Sequence, residues 1–276
     1  MQATILHQHH LKALQDFLVQ DITGNLFGLG RLEQSGIQPR ADSEWWGVFD
    51  PHDRLQAACF AGAKGPDGTF GLLVPAGDPQ SCLTLGLSLA VRGGGRWAVG
   101  ERTATDFLWK GMGKPNTSIN SDQCLYELTQ PHPGDCLSLR FATKNDRSWV
   151  IHAATEMMKE DFGVKQFMDD DERFQRSIDM GIRSHQELIG EYKNQPVFRI
   201  KISTLCSYGA QVGGTWVESK FRGKGLGQAG MRATVNHLLS QVPRVTLHVR
   251  EQNNAAIGCY SAIGFNAVQA FRLLSR

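Results

Sequence analysis

The chain has 276 residues, of which 41% are hydrophobic and 20% are charged, and its formal net charge is +2. This length holds one large domain or two ordinary ones, and the near-neutral charge argues against nucleic acid or a polybasic membrane surface as a partner. No basic segment is followed by an apolar one at the N-terminus, and no apolar run approaches the roughly 18 residues that cross a bilayer, so we expect a cytoplasmic protein.

The N-terminal half alternates predicted helices and strands. It begins with the spacing of one helix face at Leu11, Leu14, Phe17 and Leu18. Short β-like runs separated by turn sequences follow at 44–50, 55–62 and 69–76. Next come a helix at about 81–91, a strand "RWAVGE", a helix "ATDFLWKGM" and a strand "CLYELT". The Pro-punctuated "QPHPGD" at 130–135 predicts a boundary between domains at 1–130 and 136–276.

The C-terminal half predicts the order βααβββαβαββ. A strand "LSLRFAT" precedes a helix from Asp146, and the acidic run "DDDERF" begins a second helix with carboxylates in its first turn. The strands "PVFRIKIS" and "GAQVGGTWVE" lead to a helix that Pro243 ends and to a strand at 245–250. A helix from Asn253 or Asn254 to Gly264 follows, and "FNAVQAFRLL" supplies one or two closing strands.

The segment "WVESKFRGKGLGQAGMRA" carries two overlapping glycine patterns. Gly225, Gly227 and Gly230 have the G-x-G-x-x-G spacing of a dinucleotide-binding loop, and Glu251 lies roughly 20 residues beyond, where a ribose-binding carboxylate belongs. However, only 46 residues follow Gly230, too few to complete a dinucleotide-binding sheet. Binding of NAD is therefore the weakest of the three functions considered, and Gly230 is interpreted as a helix-packing glycine.

The other pattern, R-x-x-G-x-G, is part of a resemblance to a known superfamily. It matches the pyrophosphate loop of the GNAT acyl-CoA-dependent N-acyltransferases at Arg222, Gly225 and Gly227. A second GNAT pattern, N-x-x-A-x-x-x-Y-x-x-x-G-F, is matched at Asn253, Ala256, Tyr260, Gly264 and Phe265. The resemblance covers roughly residues 137–276 and implies an α/β (α+β) fold with a mixed, mostly antiparallel sheet flanked by helices.

The N-terminal half resembles a diverged second GNAT copy, which implies two tandem domains. Its "WAVGERTATDFLW" is similar to "LHVREQNNAAIGCY", which suggests an internal duplication. Where its own phosphate loop belongs, the sequence reads "GDPQSCLTLG", without R-x-x-G-x-G. We therefore expect the N-terminal domain to lack a productive acyl-CoA site.

The resemblance implies that an amine attacks the thioester of acetyl-CoA, or of a short acyl-CoA, directly. The thioester is then expected beside the backbone of residues 214–217, and Tyr260 is expected to be the general acid. Asn253 either hydrogen-bonds the coenzyme or caps its helix. The expected coenzyme-binding residues are Trp216, Val217, Arg222, Gly223, Lys224, Gly225, Leu226, Gly227 and Asn253.

Several assignments stay open at this point. Glu218 is the predicted general base, with Glu160, Asp161 and Glu251 as alternatives, while Cys259 is interpreted as a packed neighbour of Tyr260. The six cysteines are scattered and "HQHH" precedes a helix, so neither a disulfide framework nor a metal site is expected. The alternative function is a non-catalytic acyl-CoA-binding regulatory or scaffold protein, and a homodimer is left open.

Overall fold

A computed structural model describes residues 2–163 and 172–276, so the predicted first-turn residues Asp169–Asp171 lie outside the described residues. The chain forms two compact units. Unit 1 contains Met1–Leu125, His248–Gln252 and Ala267–Arg276, and unit 2 contains Tyr126–Leu247 and Asn253–Asn266. The domain boundary proposed at 130–136 stays a prediction.

The first half of the chain has ten regular elements. They are β1 (Ala3–Ile5), α1 (Leu11–Leu18), α2 (Leu26–Ser35), β2 (Glu44–Phe49), β3 (Leu55–Gly62), β4 (Phe70–Gly77), α3 (Pro79–Val91), β5 (Gly95–Glu101), α4 (Arg102–Gly111) and β6 (Ile119–Leu128). The sequence did not predict β1, which is three residues long, or α2, in which Gly28 and Gly30 weaken the helical pattern. A side chain at Gly28 would lie 3.3 Å from the Trp45 ring, so close packing explains that glycine.

The second half repeats the same order of strands and helices. Its elements are β7 (Ser138–Phe141), α5 (Arg147–Phe162), α6 (Glu172–Arg183), β8 (Glu187–Tyr192), β9 (Gln195–Cys206), β10 (Gly209–Val217), α7 (Leu226–Leu239), β11 (Val245–Arg250), α8 (Asn254–Ser261) and β12 (Asn266–Ser275). Both halves have the order βααβββαβαβ. In the second half this is the predicted order, with one closing strand of the one or two expected. The repeated order is what an internal duplication predicts.

Unit 1 is a sheet covered by helices. Its strands lie in the order β1-β2-β3-β4-β5-β12, and only β4 and β5 are parallel neighbours. The last strand of the chain, β12, pairs antiparallel with β5. Phe70, Leu85 and Leu108 are fully buried in the core on this sheet.

Unit 2 has the sheet order β11-β10-β9-β8-β7, and only β10 and β11 are parallel neighbours. The buried side chains of Val150, Ile178 and Ile189 join α5 and α6 to β8. On α7, Gly230 has the packing role expected of it, since a Cβ there would lie 2.5 Å from the Phe198 ring. Among the described residues, no helix combines the length and apolar character needed to span a bilayer.

Candidate active site

Strand β10 separates from β11 halfway along its length. The two strands pair only from Ala210 to Val212. Against β9, Gly213 faces Lys201 and Trp216 faces Arg199, so the two intervening β10 residues oppose one residue in a β-bulge. Residues 214–217 of β10, beside which the thioester is expected from the sequence, therefore have no partner in the β11 ladder.

A loop with two left-handed glycines connects β10 to α7. A short 3-10 helix, Ser219–Phe221, is followed by Gly223 with φ +73° and Gly225 with φ +76°. Glycine adopts these angles without the steric cost that a side chain brings, and a Cβ at either position would point into open space. Gly225 is the N-cap of α7, so the first N–H groups of α7 have no partner within the helix.

The loop and α8 enclose a cavity of about 310 Å³ within unit 2. Its walls are Glu160, Thr215, Trp216, Val217, Phe221, Arg222, Gly223, Gly225, Leu226, Gly227, Ala255, Ala256, Cys259 and Tyr260. The cavity thus brings together most of the predicted coenzyme-binding residues and the predicted general acid. Lys224 and Asn253 are not among the lining residues.

Positive charge at the cavity comes from Arg222. Its Nη2 lies 2.8 Å from Glu160 Oε1, and its Nε donates to Val217 O at 2.9 Å. Lys224 has a different position, because its Nζ donates to Lys220 O at 3.1 Å and lies over the Phe221 ring. A fixed cation at the start of a helix, beside free N–H groups, is an anion-binding arrangement.

Tyr260 lies in the last turn of α8 and is 7% exposed. Burial raises the pKa of its phenol to about 12, against a lowering contribution from a hydrogen bond with the Thr215 side chain. The phenol therefore keeps its proton at neutral pH, as a proton donor requires.

Two other residues of the α8 region have roles that the structure describes. Asn253 caps α8, since its Oδ1 accepts from Ala256 N at 3.1 Å. Burial also raises the pKa of the Cys259 thiol, which disfavours the nucleophilic thiolate.

The four candidate bases have different surroundings. Glu218 follows β10 directly, and its backbone N–H donates to Val197 O at 2.9 Å, but its side chain is not among the cavity-lining groups. Glu160 lines the cavity and is paired with Arg222. Glu251 forms an ion pair with Arg102 in unit 1. Asp161 lies close enough to affect the titration of Tyr260.

Sequence reasoning missed part of the cavity wall. Ala255 and Phe221 were not singled out, and Cys259 was treated only as a packed neighbour. The signal for α8 was available: Ala255, Ala256, Cys259 and Tyr260 share one helix face at a period near 3.6. Phe221 carries no such signal, because it belongs to a loop. Among the described residues, no three His, Cys, Asp or Glu side chains are grouped so that they could hold a metal ion.

Comparisons with known proteins agree with this geometry. Residues 151–265 match the model of the acetyltransferase (GNAT) family. No curated protein sequence matches the chain. Among solved structures, a GCN5-related N-acetyltransferase from Sphaerobacter thermophilus has a TM-score of 0.63 at 14% identity, over 99% of this chain and 94% of its own.

Two further structures are similar over the whole chain. A tandem GNAT protein from the clavulanic acid biosynthesis pathway has a TM-score of 0.58 at 14% identity, covering 100% of this chain and 98% of its own. A GNAT-family acetyltransferase from Colwellia psychrerythraea has a TM-score of 0.57 at 13% identity, with 100% of both chains covered. At these identities the likeness shows the fold alone, which is a GNAT fold in tandem.

Proposed function

Because residues 151–265 match the model of the acetyltransferase (GNAT) family, we propose that unit 2 is an N-acetyltransferase. It transfers an acetyl or short acyl group from a coenzyme A thioester to a primary amine. The observation that carries the proposal is the shared cavity: separated β10 backbone, the glycine loop before α7 and the Tyr260 phenol all line it. Each of the three serves a different part of one acyl-CoA molecule.

The pyrophosphate is assigned to the loop that begins α7. The free N–H groups of Leu226 and Gly227, with Arg222 beside them, supply donors and positive charge for two phosphates. A Cβ at Gly227 would make only ordinary contact with Val217, at 3.4 Å. Packing within the protein therefore does not explain the glycine at residue 227. Close approach of a phosphate group to the backbone explains it, because a side chain would stand in the way.

The reaction is a direct displacement at the thioester carbonyl. The amine nitrogen forms the new C–N bond as the C–S bond breaks, and the leaving sulfur takes the proton of the Tyr260 phenol. The proton lost by the amine is assigned to Glu218, directly or through water, and this assignment stays a prediction. Backbone N–H groups within residues 214–217 are assigned to the carbonyl oxygen, because this part of β10 has no partner in the β11 ladder.

Unit 1 is proposed not to bind acyl-CoA productively. At its equivalent junction, β4 ends at Gly77 and α3 begins at Pro79, which has no N–H to offer. The Asp78 carboxylate accepts from Ser81 N at 3.0 Å, so it occupies the helix N-terminus with its own negative charge. Both features oppose binding of a phosphate group.

The decisive experiment compares the wild type with Tyr260→Phe in a panel of primary amines, measuring free thiol release and acetyl-CoA affinity by calorimetry. General acid catalysis contributes about 10² to 10⁴ in rate, so kcat should fall by that factor while the Kd for acetyl-CoA is unchanged. Tyr208→Phe, in the turn between β9 and β10, is the matched control and should keep full activity. A wild type that binds acetyl-CoA and acetylates no amine would instead support the non-catalytic binding protein.

A further inference from the structure

Next to the bulged strand β10, unit 2 contains a buried ion pair between the neighbouring strands β8 and β9. Glu187 begins β8 and is 0% exposed, and Arg199 in β9 is 3% exposed. Two parallel hydrogen bonds join them, from Arg199 Nε to Glu187 Oε2 at 3.0 Å and from Nη2 to Oε1 at 2.9 Å. A pair of this kind loses its hydration on folding, so it does not by itself make a protein more stable than apolar residues would.

The arginine has a third bond, and it reaches β10. Arg199 Nη1 donates to Gly214 O at 3.1 Å, within the bulge. Gly214 has φ +64°, and a Cβ there would lie 2.9 Å from the same Nη1. The guanidinium therefore occupies the space of a side chain at residue 214 and fixes the direction of its carbonyl.

Fixing that carbonyl also fixes the next amide. In a planar trans peptide the C=O of one residue and the N–H of the following residue point in opposite directions. With Gly214 O held toward Arg199, the N–H of Thr215 points away from the ion pair. Among the described residues, neither Gly214 nor Thr215 has a partner in the ladders with β9 and β11. Thr215 also lines the cavity.

We propose that Arg199, held in place by Glu187, is a positioning residue that aims the Thr215 N–H at the carbonyl oxygen of the bound thioester. The inference rests on the proposed acetyl transfer and adds to it two residues that touch no substrate. The bidentate geometry matters, because two nitrogens are occupied by Glu187 and leave the third directed at Gly214. Lysine, with a single nitrogen on a flexible chain, does not reproduce this arrangement.

The test separates positioning from stability by replacing the pair with apolar residues. Arg199→Met combined with Glu187→Leu removes both buried charges together and is expected to keep the melting temperature within a few degrees of the wild type. The Kd for coenzyme A should be unchanged, since the pyrophosphate loop is separate. The value of kcat should fall about 10²-fold, the effect of losing one such donor. Arg199→Lys should likewise lose activity.

A matched control uses a second ion pair of unit 2, Arg244–Glu127, whose nitrogen and oxygen lie 2.9 Å apart. Arg244→Met with Glu127→Leu should keep kcat. If the Arg199 and Glu187 double variant is as stable as the wild type and as active, the pair is only structural and the proposal is wrong.

An activity-independent measurement keeps this result distinct from failure of the proposed function. In the wild type, the Thr215 amide proton should shift downfield in NMR spectra when acetyl-CoA replaces coenzyme A, because only acetyl-CoA brings a carbonyl oxygen. In the apolar double variant, that shift should be lost. Absence of the shift in a wild type that does acetylate amines would overturn the positioning role alone.

Discussion

Arg222 and Glu160 form an ion pair at the cavity, with Nη2 and Oε1 2.8 Å apart and both side chains nearly half exposed. Arg222 is the cation assigned to the coenzyme pyrophosphate, and Glu160 is a carboxylate that already occupies it. A pyrophosphate must therefore compete with Glu160 for the same guanidinium. Exposed pairs contribute at most about 1 kcal/mol, so this competition weakens binding without preventing it.

Glu160→Gln should consequently bind coenzyme A about two- to fivefold more tightly, and the gain should shrink at high salt. Calorimetry at two salt concentrations measures it. Glu156→Gln is the matched control, because it removes a carboxylate one turn earlier on α5 that pairs with Lys159 and does not line the cavity. Weaker binding in Glu160→Gln would show that this carboxylate helps to hold the ligand.

Substitutions at Gly225 should distinguish charge from strain. Any side chain at φ +76° costs about 1 kcal/mol, but it would point into open space without a clash. Gly225→Gln and Gly225→Glu add side chains of nearly equal size, and only the second places a carboxylate at the start of α7. We expect acetyl-CoA binding to be at least about tenfold weaker in the Glu variant than in the Gln variant.

Gly36→Glu is the control for those two variants. Gly36 has φ +69° with ψ −169° and open surroundings in unit 1, so its Glu variant adds a carboxylate at a backbone conformation even less favourable to side chains, far along the chain from the glycine loop. It should leave acetyl-CoA affinity unchanged in the same calorimetric assay. Equal affinities of the Gln and Glu variants at residue 225 would mean that no anion binds at this helix start.

The hydrogen bond between Thr215 and Tyr260 should matter for the rate. Burial raises the pKa of the phenol and the hydrogen bond lowers it, with a net pKa of about 12. The hydrogen bond therefore favours the form left after proton donation. Thr215→Val keeps the side-chain shape and removes the hydroxyl. We expect kcat to fall about tenfold or more with an unchanged Kd for acetyl-CoA. Thr246→Val, at a buried hydroxyl without a partner among the described residues, should have little effect.

The pH profile follows from the same pKa. Proton donation requires the protonated phenol, so kcat falls as pH rises through the pKa of Tyr260. A pKa of about 12 places that fall above the usual assay range, so kcat should stay level up to pH ~10. A decline beginning near pH 9 would indicate a phenol with its ordinary pKa of about 10.

Most elements could be predicted from the sequence because local residue patterns determine them. Alternation in β11 and apolar spacing in α7 each report a face that packs on neighbours, and those elements were predicted. The short strand β1 and the helix α2 were not, since three residues carry little periodicity and glycines mask a helix. The pairing of β12 with β5 is a long-range contact that no local pattern contains.

The residues of the site also differ in how far the sequence predicts them. The glycine loop and Tyr260 stand in contiguous motifs, and the structure places them at one cavity. Arg199 and Glu187 are a single arginine and a single glutamate in two strands, with no motif around them. Their connection to Gly214 depends on the register of β8, β9 and β10, which is set by sheet assembly rather than by neighbouring residues.

Gly230 completes a dinucleotide-type pattern, yet its surroundings are those of a packing residue. A Cβ at this position would lie 2.5 Å from the ring of Phe198, which is fully buried. Gly230→Ala should therefore reduce the free energy of unfolding by about 1–3 kcal/mol, measured by urea titration, because the ring has little room to move. Acetyl-CoA affinity should be unchanged at temperatures where the variant is folded.

Two further variants complete that test. Adding Phe198→Leu to Gly230→Ala makes room for the new methyl group, so the double variant should lose less stability than the two single effects together. Gly258→Ala on α8 is the control: its Cβ would meet nothing within 4 Å, and alanine in a helix interior should stabilise by up to about 1 kcal/mol. A Gly230→Ala protein with full stability and weakened coenzyme binding would assign Gly230 to the ligand loop instead.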